Sequence, residues 1–201
     1  MFCSRAGFSS TSIDLEKNGR MQKRIKSVFV YSIFLILLST SMIVAQTPAG
    51  YAQQVFVMTK LMPSVKSIGI ISSKATDQFV QSVNRAGLSL GIKVFIAKAK
   101  STQEIPKLYR MLLKNEVKII WLPDKDDAML LDLGFEYLRE ITLEDKIGLC
   151  VPVSTMVPEG GLCSIQIEEN KVTVYLNRRI AQIVGANIPD EPNSTIKYVL
   201  K

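Results

Sequence analysis

The chain has 201 residues, enough for one ordinary domain rather than two full ones. Its 25 basic and 18 acidic residues leave a formal charge of +7, and 47% of residues are apolar, the composition of a folded domain rather than a disordered tail. There is no histidine, which excludes Ser-His-Asp and Cys-His catalysis, imidazole proton shuttles and nearly all catalytic zinc sites. The charge is unevenly placed: six basic against two acidic residues over 1–46, and 19 against 16 over 47–201. The second stretch has no clustered basic face and no RNA-binding aromatic motif, so no nucleic-acid partner is expected.

Residues 1–20 read as a polar, Ser-rich extension, with Met21 a natural alternative start. Residues 21–46 form the next unit. Lys23, Arg24 and Lys26 precede the uncharged run VFVYSIFLILLSTSMIVA over 28–45, and Ala45 gives a small-residue exit before Gln46. A basic, then apolar, then small-residue order is that of a signal peptide, and it predicts a periplasmic location. The rival reading is a retained inner-membrane anchor, since about 18 apolar residues is the lower limit for spanning a bilayer.

Residues 47–65 read as a linker or short element, with Val55–Leu61 helix or strand and a stop at Pro63. The α/β domain is then placed at 66–201. Ser67–Ser72 is an unbroken apolar run, a buried strand. Asp77–Leu90 carries Phe79, Val80, Val83, Ala86, Leu88 and Leu90 as an apolar helical face, and Gly91 ends it. Ile92–Ala97 is a second strand. Ser101 or Thr102 can cap the next helix, with Glu104 in its first turn and Ile105, Leu108, Met111 and Leu112 along it. Val117–Leu122 is a third strand, stopped by Pro123. Asp126 or Asp127 can cap a helix running to Ile141, and Lys146–Val153 is a fourth strand.

Continuous apolar strands alternating with helices predict a mostly parallel sheet covered on both faces, in a flavodoxin-like arrangement. The pattern then changes. Leu162–Ile167 and Val172–Leu176 alternate about the segment 168–171, a hairpin signal in which Asn170 tolerates positive φ. Asn177 can cap a last helix over Arg178–Val184, ending at Gly185. Residues 195–200 form a short strand or helix.

Met62 to Ile71, the unit Ala86 to Ile92, and Ile120-Trp121-Leu122-Pro123-Asp124 resemble one lobe of ABC-type periplasmic solute-binding proteins, as does Asn177…Ala181…Gly185…Ile188-Pro189. The resemblance covers about 60–190. It implies a periplasmic-binding-protein-like lobe that binds a small solute; with no histidine, no nucleophile–base pair readable from spacing and no GxGxxG or P-loop, neither catalysis nor a cofactor is expected. Glu159-Gly160-Gly161-Leu162-Cys163, with Asn170-Lys171-Val172 and Leu176-Asn177, also resembles the YfiR type of periplasmic regulator. That resemblance implies an inner-membrane protein partner, such as a diguanylate cyclase. A single lobe leaves half of a solute exposed, and a homodimer or a partner can supply the rest.

In an open parallel sheet, ligands sit beyond the carboxyl ends of the strands. The candidate ligand-binding residues are therefore Ser72, Ser73 and Lys74, then Asp124 and Asp126, then Ser154 and Thr155. Each has a plainer reading as a helix cap or turn residue. A metal site from Asp124, Asp126 and Asp127 lacks the spacing and glycine of a calcium loop, so none is expected. Gly160 and Gly161 read as a turn or a close approach to a partner. Arg178 and Arg179 read as a solvated face or a surface for an acidic partner. Cys3 lies in the N-terminal part, leaving Cys150 and Cys163 as an even pair. They form either a disulfide or two buried thiols on neighbouring strands.

Overall fold

The four apolar runs become parallel strands: β2 (Ser67–Ser72), β3 (Lys93–Lys98), β4 (Ile119–Trp121) and β5 (Gly148–Cys150). The computed structural model describes residues 47–48, 50–188 and 196–199, so the stretch read as a signal peptide and the extension before it lie outside the described residues. No helix among the described residues is long and apolar enough to cross a membrane. β2 pairs with β3 on one side, from Ser67↔Lys93 to Ser72↔Lys98, and with β4 on the other, from Ile68↔Ile119. β5 follows β4 through Ile120↔Leu149. β2, β4 and β5 are buried throughout, as strands covered on both faces must be, while the edge strand β3 is more open and has a lysine at each end. β4 and β5 are shorter than the apolar runs around them. Their flanks Val117, Leu122, Ile147 and Val151 are buried loop residues.

Helix α1 (Tyr51–Leu61) and helix α2 (Asp77–Leu90) cover one face, where Val55, Met58, Phe79 and Val83 meet Ile68, Ile70, Ile119 and Trp121. Helix α3 (Ile105–Leu113) and helix α4 (Phe135–Glu144) cover the other, where Tyr109, Leu112, Phe135 and Leu138 meet Ile71, Ile120 and Leu149. The stretch before Pro63, read as a linker or short element with Val55–Leu61 helix or strand, is a core helix that begins earlier, at Tyr51. Gly91 ends α2 at φ 68°, a left-handed angle at which a side chain would be strained. Two details differ from the expected elements. A 3-10 turn over Thr102–Glu104 opens α3 without a Ser101 side-chain cap: the Glu104 amide bonds the Ser101 carbonyl at 3.2 Å, and the Glu104 carboxylate accepts the Lys100 amide at 2.9 Å. A π-type turn at Leu130–Gly134, broken at Asp132 (φ −92°, ψ −106°), interrupts the helix expected to run from Asp126 to Ile141.

Beyond β5, a 3-10 turn at Ser154–Met156 leads to β6 (Cys163–Glu168), parallel to β5 through Cys150↔Cys163. β7 (Lys171–Asn177) returns antiparallel, and the turn needs only Glu169 (φ 50°) and Asn170 (φ 61°), two left-handed residues whose twist suits a hairpin. Asn177 caps α5 (Arg178–Val184), its Oδ1 accepting the Ile180 amide at 3.2 Å. The terminal segment is a strand, β8 (Ile196–Val199), parallel to β7. At the other end of the chain, β1 (Thr47–Pro48) pairs antiparallel with Ile167 and Gln166 of β6. The eight-stranded sheet runs β3-β2-β4-β5-β6-β7-β8, with β1 beside β6. This is a mixed α/β lobe with a mostly parallel sheet and a C-terminal hairpin.

Candidate functional site

The chain leaves β2 toward β3 in one direction and reaches β4 in the other, so the carboxyl ends of β2 and β4 flank the point where strand order reverses. In doubly wound sheets this switch point is where ligands bind. Ser72 ends β2 and is fully buried. Its hydroxyl donates to Asp124 Oδ2 at 3.1 Å and accepts the Lys74 amide at 3.1 Å. Ser73 donates both its amide (2.9 Å) and its hydroxyl (2.6 Å) to Asp127 Oδ2. Lys74 Nζ donates to the Asp126 carbonyl at 2.6 Å. Five of the seven expected ligand-binding residues are therefore brought together, with the 72–74 loop stitched to the 124–127 loop.

Of the two residues able to cap α2, Ser73 and Thr76, it is Thr76 that does so, its Oγ1 accepting the Phe79 amide at 3.2 Å, and Ser73 is left for Asp127. The Asp127 carboxylate does not cap the following helix, because it is turned across to the β2 loop. Its backbone carbonyl accepts the Leu130 and Leu131 amides instead. At 2% exposure Asp127 is an anchor, not a ligand contact. Asp124 is half-buried and Asp126 exposed.

An aromatic wall stands beside this cradle. Tyr51, at the start of α1, lies edge-on to Phe79 with ring centroids 4.7 Å apart and to Trp121 at 6.2 Å. Trp121 is 1% exposed and Phe79 6%, while Tyr51 is 37% exposed, so Tyr51 presents the wall to solvent. Burial, and then the charge of Asp124, hold the Tyr51 hydroxyl pKa above its ordinary value. Tyr51 therefore stays a neutral hydrogen-bonding group beside a carboxylate, on a rigid aromatic base. The sequence reading missed Tyr51, and it gave Asp127 only as a helix cap or a member of a metal trio, not as the anchor of the β2 loop. The spacing of Val55, Met58 and Leu61 was the available signal for α1, which puts Tyr51 at its first turn.

The other expected site residues lie elsewhere. Ser154 and Thr155 form the 3-10 turn after β5, Ser154 half-buried and Thr155 exposed. Gly160 has φ 144°, and a side chain there would come within 2.9 Å of Arg139 Cβ; one at Gly161 would meet Val151 Cγ2 at 2.8 Å. The pair is thus a tight turn packed against α4 and the end of β5. Arg178 and Arg179 are exposed at the start of α5, and the Arg178 guanidinium stands 5.7 Å from the Tyr198 ring centroid. No group of three or more Cys, Asp or Glu residues suited to a metal ion occurs among the described residues.

A parallel lobe with its polar loops gathered at the switch point is the architecture of periplasmic binding proteins. The model of the ABC transporter substrate binding protein family matches residues 48–199, and the chain belongs to that family, a family of binding proteins and not of enzymes. The match includes the hairpin and the last helix. Among solved structures, an ABC domain from Streptococcus pneumoniae in complex with L-Trp is 23% identical, with a TM-score of 0.59 over 70% of this chain and 57% of that one. A conserved domain protein from Vibrio cholerae is 15% identical, with a TM-score of 0.60 over 72% and 58%. The ligand-free, open form of a substrate binding protein with adhesive properties from Clostridium difficile is 16% identical, with a TM-score of 0.59 over 72% and 58%. These likenesses carry the fold, and the chain spans 57–58% of the length of those structures. No curated protein matches the chain.

Proposed function

We propose that this protein is exported to the periplasm and binds a small polar solute at the carboxyl edge of β2 and β4, without turning it over. The observation that carries this reading is the stitching of loops 72–74 and 124–127 by the Ser72–Asp124 and Ser73–Asp127 hydrogen bonds, with the exposed Tyr51 standing on Phe79 and Trp121 beside them. Membership of a substrate-binding family supports it. Asp124 accepts one hydrogen bond from Ser72 through a single oxygen, leaving lone pairs for a donor on the solute. Tyr51 supplies a hydroxyl and a ring edge. Lys74 and Asp126 form the polar rim.

The edge is open, and small-molecule sites bury most of their ligand's surface. A second surface therefore closes over the solute: another lobe, a second copy of the chain, or an inner-membrane protein of the transporter type. A thermal-shift screen of the purified protein against amino acids and other small polar solutes, followed by calorimetry, tests the reading. Ser73→Ala combined with Asp124→Ala abolishes binding of any solute found. Charge reversal at Arg178 and Arg179 leaves it intact. Solute binding that survives the first change and fails with the second would move the site to α5.

A further inference from the structure

Three residues stand abreast on neighbouring strands: Trp121 on β4 is registered with Cys150 on β5, and Cys150 with Cys163 on β6. Cys150↔Cys163 is the only registered pair joining β5 to β6 among the described residues. It is the thinnest seam of the sheet, where the parallel βα units meet the hairpin. Both cysteines are at least 98% buried, and their sulfurs lie 3.1 Å apart as free thiols. Residues opposed on adjacent strands point to the same face, and the strand spacing of about 4.8 Å falls inside the Cα range that a disulfide spans. The sulfurs are about 1 Å beyond bonding distance, a gap that side-chain rotation can close.

We propose that Cys150 and Cys163 are a reversible redox couple, a cross-strand disulfide that staples the β5–β6 seam. The oxidant is a small or protein disulfide of the glutathione type. A thiolate at one cysteine attacks the oxidant's S–S bond and expels one thiol, leaving a mixed disulfide. The second cysteine's thiolate then attacks the protein sulfur of that mixed disulfide and expels the other thiol. The two protons leaving the cysteines end on the two expelled thiols. The hydrogen bond with the Cys163 thiol, and then burial, raise the Cys150 pKa, so the closed seam is unreactive. Exchange occurs while the seam is open, during folding or by local unfolding. A bridge confined to two adjacent strands is constrained by the sheet, and constrained disulfides are the readily reduced ones.

Trp121 makes this testable at one place, because it is the single tryptophan of the chain and adjoins Cys150. The full chain is unfolded in urea and refolded across a series of reduced to oxidised glutathione ratios. Non-reducing peptide mapping then shows a Cys150–Cys163 link with the loss of two hydrogens. Trp121 emission changes along the same redox titration, and the urea midpoint falls on reduction. Cys150→Ser and Cys163→Ser each remove the redox dependence of the emission. If either folds poorly, alkylation of the denatured wild-type protein gives the same answer. Two free thiols at positions 150 and 163 after refolding at the most oxidising ratio would overturn the proposal, as would a link to Cys3 instead.

Discussion

Ser73 gives both its amide and its hydroxyl hydrogen to one oxygen of Asp127, 54 residues further along the chain. The loop after β2 and the loop after β4 are thereby one unit, held from beneath by a buried carboxylate. Hydrogen bonds to a charged acceptor contribute about 1.5–3 kcal/mol each, and their loss leaves two half-buried donors of Ser73 without this partner. Asp127→Ala is expected to cost about 2–4 kcal/mol in urea unfolding, and Asp127→Asn less, since an acceptor oxygen remains. A loss below about 0.5 kcal/mol for the alanine variant would show the loops to be held by other means.

Tyr51 and Asp124 separate binding from stability. Tyr51→Phe keeps the edge-on contacts with Phe79 and Trp121 and removes only the hydroxyl; Asp124→Asn keeps an acceptor for Ser72. Both should leave the urea midpoint nearly unchanged. Each should weaken a solute identified by screening roughly 5–30-fold, the value of about 1–2 kcal/mol for one lost hydrogen bond. Calorimetry on the two variants checks this, and undiminished affinity in both would place the solute elsewhere.

Most of the lobe was legible because its signals are local. Apolar runs stopped by Pro63 and Pro123, the helical face of Asp77–Leu90, and the caps at Gly91 and Asn177 each act within a few residues of themselves. The site was half legible for the same reason: strand-end loops can be located once the strands are known. Which aspartate anchors and which faces solvent depends on the cross-loop bond from Ser73, and nothing near Asp127 in the sequence encodes that. Tyr51 was hidden in a stretch whose helical spacing is weak, and only the sheet places it beside Trp121. The two-residue strand β1 exists solely as a partner for β6.

The core gives a direct test of the sheet. Ile70 and Ile120 are fully buried on opposite faces, and Leu149 is 1% exposed. Alanine at each site removes apolar contacts and leaves a cavity that a close-packed interior fills poorly, costing about 2–5 kcal/mol. Urea unfolding measures it. Losses under about 1 kcal/mol at all three would contradict their central place in the strands.

The hairpin should show its own pH dependence. Glu168, at the tip of β6, accepts a hydrogen bond from Lys197 Nζ of β8 at 2.6 Å and another from the Tyr175 hydroxyl of β7. The Lys197 bond first, and the Tyr175 bond second, hold the Glu168 carboxyl below its ordinary pKa; the same carboxylate raises that of Lys197. A depressed carboxyl stabilises the fold above its unfolded value, about 4.3, and that gain is lost as pH falls through the folded value. A raised lysine stabilises below about 10.4, and its gain is lost as pH climbs through the folded value. The contribution is therefore fullest between about pH 5 and pH 10. Lys197 is exposed, so solvent screening limits the pair to about 0.2–1 kcal/mol. Glu168→Gln should lower the urea midpoint at pH 7, and the difference from the parent protein should shrink toward zero by about pH 3. A difference that is the same at both pH values would show that β8 is held to the hairpin by its ladder and by Tyr198 packing, not by this charge.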